Sequence, residues 1–252
     1  MASDKALKDV ALFASRRDRV REKLAEGLDL RSALLPDIDL ESADLSYADF
    51  GGAFLRRANL KDTYMEEATF VSADLTNASL RGATLYRTDF SRANLTGVDL
   101  TGVDFSGCDL TEAKLSRALF LRLATFEESI LTGIDLSGQD LSGMNFEGAD
   151  LSRCDLSRSD LSGATLDKAK LEGARLFKAD LTGASLRGSI FNGADLSQAV
   201  LCRTDLYLAN FSGARFESTK LDGAEVLLTV FDDDVMPWVE DLVRSGTVEG
   251  FL

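Results

Sequence analysis

The stretch "ADLSRCDLSRSDLSGATLDKAKLEGARLFKADLTGASL", Ala149 to Leu186, decides the fold. A leucine falls on every fifth residue: Leu151, Leu156, Leu161 and on to Leu186. Two residues before it stands a small residue, most often alanine; between them stands a polar one, most often aspartate; two residues after it stands glycine or a charged residue. A period of five is neither the 3.6 of a helix nor the 2 of a plain strand. Within one unit, however, the order small-apolar, polar, large-apolar is strand alternation, with Ala and Leu on one side and Asp on the other. The following Ser/Thr-Gly pair predicts a corner, since glycine takes positive φ without a Cβ clash. A short strand plus a turn cannot bury its own side chains. It must coil and stack on copies of itself.

Outward from this stretch the beat covers most of the 252-residue chain. Taking the large apolar residue as the centre of each unit, centres run from Leu35 to Phe120 and from Phe126 to Phe231, 40 in all. Of these, 27 are Leu and 11 are Phe, with Met65 and Val226 completing the set; Ala precedes 24 of them by two residues. The rhythm slips once. Phe126 follows Phe120 by six residues, inside "RALFLRLATFEESIL". The phenylalanines set the number of sides. Six pairs of Phe centres are four units apart and three pairs are three units apart. Stacked aromatics gain contact beyond area alone, so four sides per coil is favoured. That alignment treats the slip as one extra residue near 121–124, most simply Leu123, bulging a corner within one coil. Forty units then make about ten coils, about 45 Å tall at a strand spacing of roughly 4.8 Å.

This repeated Ala-Asp-Leu-Ser/Thr-Gly pattern resembles the pentapeptide-repeat family over residues 30–231. The resemblance implies an all-β solenoid, a right-handed four-sided parallel β-helix. Its open strand edges call for caps. Residues 1–29 carry an amphipathic pattern from Ser3 to Glu26 that predicts a capping helix ending at Gly27. In residues 232–252, Asp234 as N-cap and Pro237 in the first turn predict a short second helix, with Val235, Trp238, Val239 and Leu242 on one face. In gyrase-targeting members of the family a C-terminal segment joins two copies, so these four residues are candidates for a homodimer contact as well as for a cap.

Composition narrows the function. The chain has no histidine, 28 Lys+Arg and 42 Asp+Glu, a net charge of -14. Its termini differ, with net +2 over residues 1–35 and net -5 over 232–252. Without histidine there is no Ser-His-Asp triad, Cys-His pair or His-based zinc site, and no phosphate-binding glycine loop is present. No catalytic, cofactor or metal site is expected. The acidic balance argues against direct nucleic-acid binding. No apolar run is long enough for a membrane span. Three cysteines without a disulfide pattern suggest a reducing, cytoplasmic setting. Asp140, Asp160 and Asp180 take equivalent outward places on successive coils, where solvation and nearby Arg and Lys explain them better than a cation does.

Two outward clusters break the polar rule. Tyr47, Tyr64 and Tyr86 share one side of the first three coils, and Leu119, Leu121, Leu123 and Ile130 surround the slip. Both are candidate partner-binding surfaces. The sequence thus predicts a non-enzymatic, bacterial scaffold for protein–protein interaction. The resemblance implies two alternatives: a DNA mimic that binds gyrase or topoisomerase and protects against quinolones, and an accessory or adaptor protein of a type VI secretion system.

Overall fold

The computed structural model describes residues 28–118 and 124–249. The chain divides into two compact units, one ending at Thr125 and the other beginning at Phe126. Each is built from single-residue parallel bridges. In the first unit they run from Asp29↔Asp49 to Asp104↔Thr125, and in the second from Ile130↔Asp150 to Asn210↔Val230. Bridged residues lie four pentapeptides apart, so four pentapeptides make one turn of the coil. Within the coils Asp104↔Thr125 departs from this spacing by one residue. The late beat in the sequence is therefore taken up as one added residue within a turn of the first unit.

One pentapeptide accounts for all five of its N–H groups. Leu156 N–H donates to the Arg175 carbonyl one turn on (2.8 Å), and Arg158 N–H to that of Phe177 (2.9 Å). Asp160 N–H reaches back one turn to Gln139 (2.9 Å), and Ser159 N–H closes the corner on the Leu156 carbonyl (3.2 Å). The fifth, Ser157 N–H, is taken by the Asp155 carboxylate (2.9 Å). The same carboxylate-to-corner bond recurs at Asp49, Asp74, Asp99, Asp109 and Asp180. The outward aspartate is thus more than a solvated residue. It closes an Asx turn that supplies the one corner donor the coils leave without a backbone partner.

Each described corner residue two after a large inward residue, from Ser32 to Leu228, has φ between 53° and 73°. Sixteen of these are glycine and 23 are not; the latter include Arg158, Leu208 and Leu228. Glycine suits the corner but is not required there. The N–H of Arg158, bonded to the next turn, holds the left-handed conformation against a preference worth about 1–2 kcal/mol.

The interior follows the sequence pattern. In the first unit Phe50, Phe70 and Phe90 stack with centroids 4.7 and 5.1 Å apart. In the second, Phe191, Phe211 and Phe231 stack at 4.7 and 5.4 Å, and Phe126 and Phe146 at 5.6 Å. Every one of these stacked pairs is separated by one full turn. Where a hydroxyl replaces the small alanine it is buried but satisfied: Thr63 donates to the Leu60 carbonyl and Ser159 to that of Leu156.

The second unit ends in a helix, α1, Met236–Arg244. Its N-cap is Val235, with no side-chain cap bond, and Pro237 lies in its first turn. Asp234 is not the cap the sequence predicts; the carbonyl of Asp232 instead accepts the N–H groups of Val235 and Met236 (both 3.0 Å). The Asp232 carboxylate turns the other way and accepts the Gly213 N–H (2.7 Å). After α1 the chain returns to the last turn. Glu249 bridges Glu225, Gly223 N–H donates to Thr247, and Val226 N–H donates to Glu249. Part of the final strand edge is thereby paired, which removes a template for aggregation.

Candidate interaction surfaces

Side chains leave the coil at three places in each pentapeptide: the bridge residue and the two corner residues. Stacking of turn upon turn makes each place a vertical file. Tyr64 is a bridge residue, paired to Asp44 on one side and Thr84 on the other. Tyr47 and Tyr86 are corner residues of the same side, joined to it through Tyr47 N–H to Glu66 and Glu67 N–H to Tyr86. The structure therefore brings the three tyrosines onto one side. They are 50%, 55% and 50% exposed, and the Arg87 guanidinium lies 5.2 Å from the Tyr86 ring centre. Exposed amphipathic rings of this kind are typical contact residues.

Of the second cluster, Leu119, Leu121 and Leu123 lie outside the described residues; so do residues 1–27, where the N-terminal helix is expected. Ile130 opens a file of the second unit and is 40% exposed. At the C-terminal end Val239 is fully buried, while Val235, Trp238 and Leu242 are half-buried. The Trp238 ring lies 5.9 Å from Phe216, which itself sits edge-on to Phe211 and Phe231 at 5.3 and 5.6 Å. Trp238 thus faces the aromatic end of its own coil.

Two exposed apolar groups were not singled out from sequence. Leu34 and Phe54 bridge each other on a further side of the first unit, 70% and 46% exposed. Leu208, Leu227, Leu228 and Val230 crowd the last corner of the second. In each case the signal was present, an apolar residue in a slot otherwise held by Asp, Asn, Ser or Gly.

Among the described residues no group of His, Cys, Asp and Glu could hold a metal ion. Asp140 and Asp180 each accept an N–H and a hydroxyl from the residue two places on, and Asp160 accepts the Ser162 N–H. The buried Cys108 and Cys154 donate to the carbonyls of Leu85 and Leu131, and burial pushes both thiols up to about 12. At that value neither is a nucleophile near neutral pH. Cys202 is half-exposed; partial burial raises its thiol, the Asp222 backbone opposes this, and the Asp222 carboxylate adds to the rise. No described helix is long and apolar enough to cross a membrane.

Comparison with known proteins agrees with this architecture. The profile of the pentapeptide repeats matches in successive copies from residue 26 to residue 226. Solved structures similar to the chain include HetL, a pentapeptide repeat protein involved in heterocyst differentiation regulation in the cyanobacterium Nostoc sp. strain PCC 7120. It is 33% identical, with a TM-score of 0.66 over 78% of this chain and 88% of that one. A pentapeptide repeat protein of the Arabidopsis thaliana thylakoid lumen is 38% identical over 41% of this chain and 75% of its own, with a TM-score of 0.33. QnrB1, a plasmid-mediated fluoroquinolone resistance protein, is 19% identical over 85% of this chain and 99% of its own, also at 0.33. No curated protein sequence matches the chain.

Proposed function

Because this chain belongs to the pentapeptide-repeat family, we propose that it is a non-enzymatic scaffold that holds a protein partner on an outward side of its coils. We take the solenoid as right-handed, with about ten coils from its 40 units, and its end segments as caps. The reading rests chiefly on the side bearing Tyr47, Tyr64 and Tyr86. Each ring is about half exposed on coils joined turn to turn by backbone hydrogen bonds, and a tyrosine has few rotatable bonds, so little entropy is lost when a partner orders it. The partner expected is a protein, in the cytoplasm, with no cofactor involved.

The test is capture of partners from a native lysate. The intact protein is compared with Tyr47→Ser/Tyr64→Thr/Tyr86→Ser and with Leu121→Asp/Leu123→Asp. Loss of a specific partner in the tyrosine variant, with melting unchanged, is the expected result. Equal recovery from all three proteins overturns the reading. Light scattering tests the homodimer through Val235, Trp238, Val239 and Leu242; a monomer mass removes it.

A second reading, mimicry of duplex DNA toward a topoisomerase, draws on the net charge of -14 and on the file Asp29, Asp49, Asp89 and Asp109 on one side of the first unit. A supercoiling assay with gyrase and a quinolone separates it from the first. Neither inhibition nor protection at micromolar protein discards it. The adaptor role in a type VI secretion system is one setting in which the first reading would operate, and capture of a secretion component would identify it.

A further inference from the structure

Within the second unit, Ser137, Gly138, Asp155, Ser157, Arg158, Arg175 and Phe177 line an open depression of about 540 Å³. It arises from residue size alone. Ser137 and Ser157 occupy one corner slot on successive turns, and Phe177 takes the same slot on the turn beyond. Two small residues therefore stand beside a ring. Gly138 adds room, since a Cβ there would meet nothing within 4 Å. Arg175 and Arg158 flank the hollow. Arg175 is held only loosely, 3.5 Å from Asp155 and largely exposed. Arg158 makes no ion pair among the described residues. Lys178 lies 5.1 Å from the Phe177 ring centre. Arg158, Arg175 and Lys178 thus gather about the hollow, with Asp155 in its lining and Asp135 and Asp195 in the same file one turn to either side of Asp155 and Arg175.

A second observation concerns Ser157. At this register place, Ser106, Ser142 and Thr182 each donate their hydroxyl to the preceding aspartate at 2.5–2.6 Å. Desolvation raises the Asp155 carboxyl, but the Ser157 hydroxyl and N–H, with Arg175, outweigh it and leave it below its usual value. Yet only the Ser157 N–H makes a well-formed bond to that carboxylate; the hydroxyl is buried with no hydrogen bond of regular geometry. The Asp155 carboxylate is thus engaged by its own corner at Ser157, and its hold on Arg175 is the looser 3.5 Å contact.

We propose that this depression binds an acidic peptide segment, its carboxylates taken by Arg158 and Arg175 and a neighbouring apolar side chain set against Phe177. Guanidinium groups pair with carboxylates in a planar, bidentate fashion, and the volume suits a few peptide residues rather than a lone oxyanion. The inference rests on the scaffold reading and names a second docking site for it, on different residues from the tyrosines.

The probe is a fluorescein-labelled peptide of alternating glutamate and phenylalanine, followed by anisotropy against the full-length protein. Arg158→Glu and Arg175→Gln should each weaken binding by about tenfold or more. Arg153→Glu, which reverses a charge at another corner of the same coil, should leave it within about twofold, because distant exposed charges are largely screened. Circular dichroism confirms that each variant is folded. Absence of binding, equal weakening by Arg153→Glu, or full displacement by an equimolar amount of inorganic phosphate overturns the proposal. If the peptide fails to bind while tyrosine-dependent capture persists, the depression alone is discarded and the scaffold reading stands.

Discussion

The tyrosine side of the first unit and the arginine-lined depression of the second are carried by one backbone. In both, every centre is buried, corner residues have positive φ, and bonds run to the turns above and below. Only the outward slots differ. Around Tyr64 they hold projecting rings; around Ser157 they hold a hollow between guanidinium groups. Inward residues are chosen by packing, whereas outward slots other than those whose aspartate closes a turn are free of it, so surface chemistry can change from turn to turn without disturbing the frame.

If the frame is common, its substitutions should cost the same wherever they fall. Phe70→Ala and Phe191→Ala each remove a fully buried, stacked ring, and each should lose about 3–5 kcal/mol by urea unfolding. Costs that differ by more than twofold would show that the two units are packed to different standards. The tyrosine and arginine substitutions, being outward, should move the midpoint by less than about 0.5 kcal/mol each.

Acid should weaken both units together. Asp104 lies in the Tyr64 file and Asp195 on the same side of the second unit as Arg175. For Asp104, desolvation raises the carboxyl, but bonds from Ser106 and Thr125 outweigh it and leave it below its usual value. For Asp195 the Ser197 bonds prevail over desolvation, with the same result. A carboxylate with a depressed folded pKa contributes stability that is complete above the unfolded value, about 4, and is lost as pH falls through the folded value. Melting temperature should therefore be flat from pH 7 to about 5 and fall below about 4, less steeply in Asp104→Asn and Asp195→Asn. A decline already evident between pH 7 and 5 would contradict this assignment.

The smallest effect is expected at the corners. Leu208→Gly and Leu228→Gly replace exposed residues held at φ 60° and 56°. Relief of the left-handed conformation is set against glycine's greater unfolded freedom, so each should gain up to about 1 kcal/mol. A loss at either position would indicate that the leucine packs on its neighbours.

Much of this frame was legible in the sequence because its cause is local and repeated. The five-residue beat places centres inward, the phenylalanine intervals give four sides, and the late step at Phe126 becomes the lengthened register at Thr125. The role of the outward aspartates was missed. Their turn-closing bond depends on which corner N–H lacks a partner, and that is known only once the coils are stacked. The start of α1 was misplaced by one residue because the Asp232 carbonyl takes the N–H groups of Val235 and Met236, which makes Val235 the N-cap. The depression joins residues one and two turns apart. Writing the sequence with one full turn to each row would have set Ser137, Ser157 and Phe177 in one column.

The return of Thr247–Glu249 to the last turn bears on how such a chain can change length. Those residues already take the N–H groups of Gly223 and Val226 that a further coil would use. Duplicating repeats after Phe231 would have to displace them, whereas a block inserted among the coils would not. Such a block must also amount to a complete turn of four pentapeptides. One, two or three pentapeptides would rotate every later file to another side and separate Arg158 from Arg175, or Tyr64 from Tyr86, according to where the block fell. Evolution and protein engineering alike can lengthen this molecule only in whole turns if its surfaces are to survive.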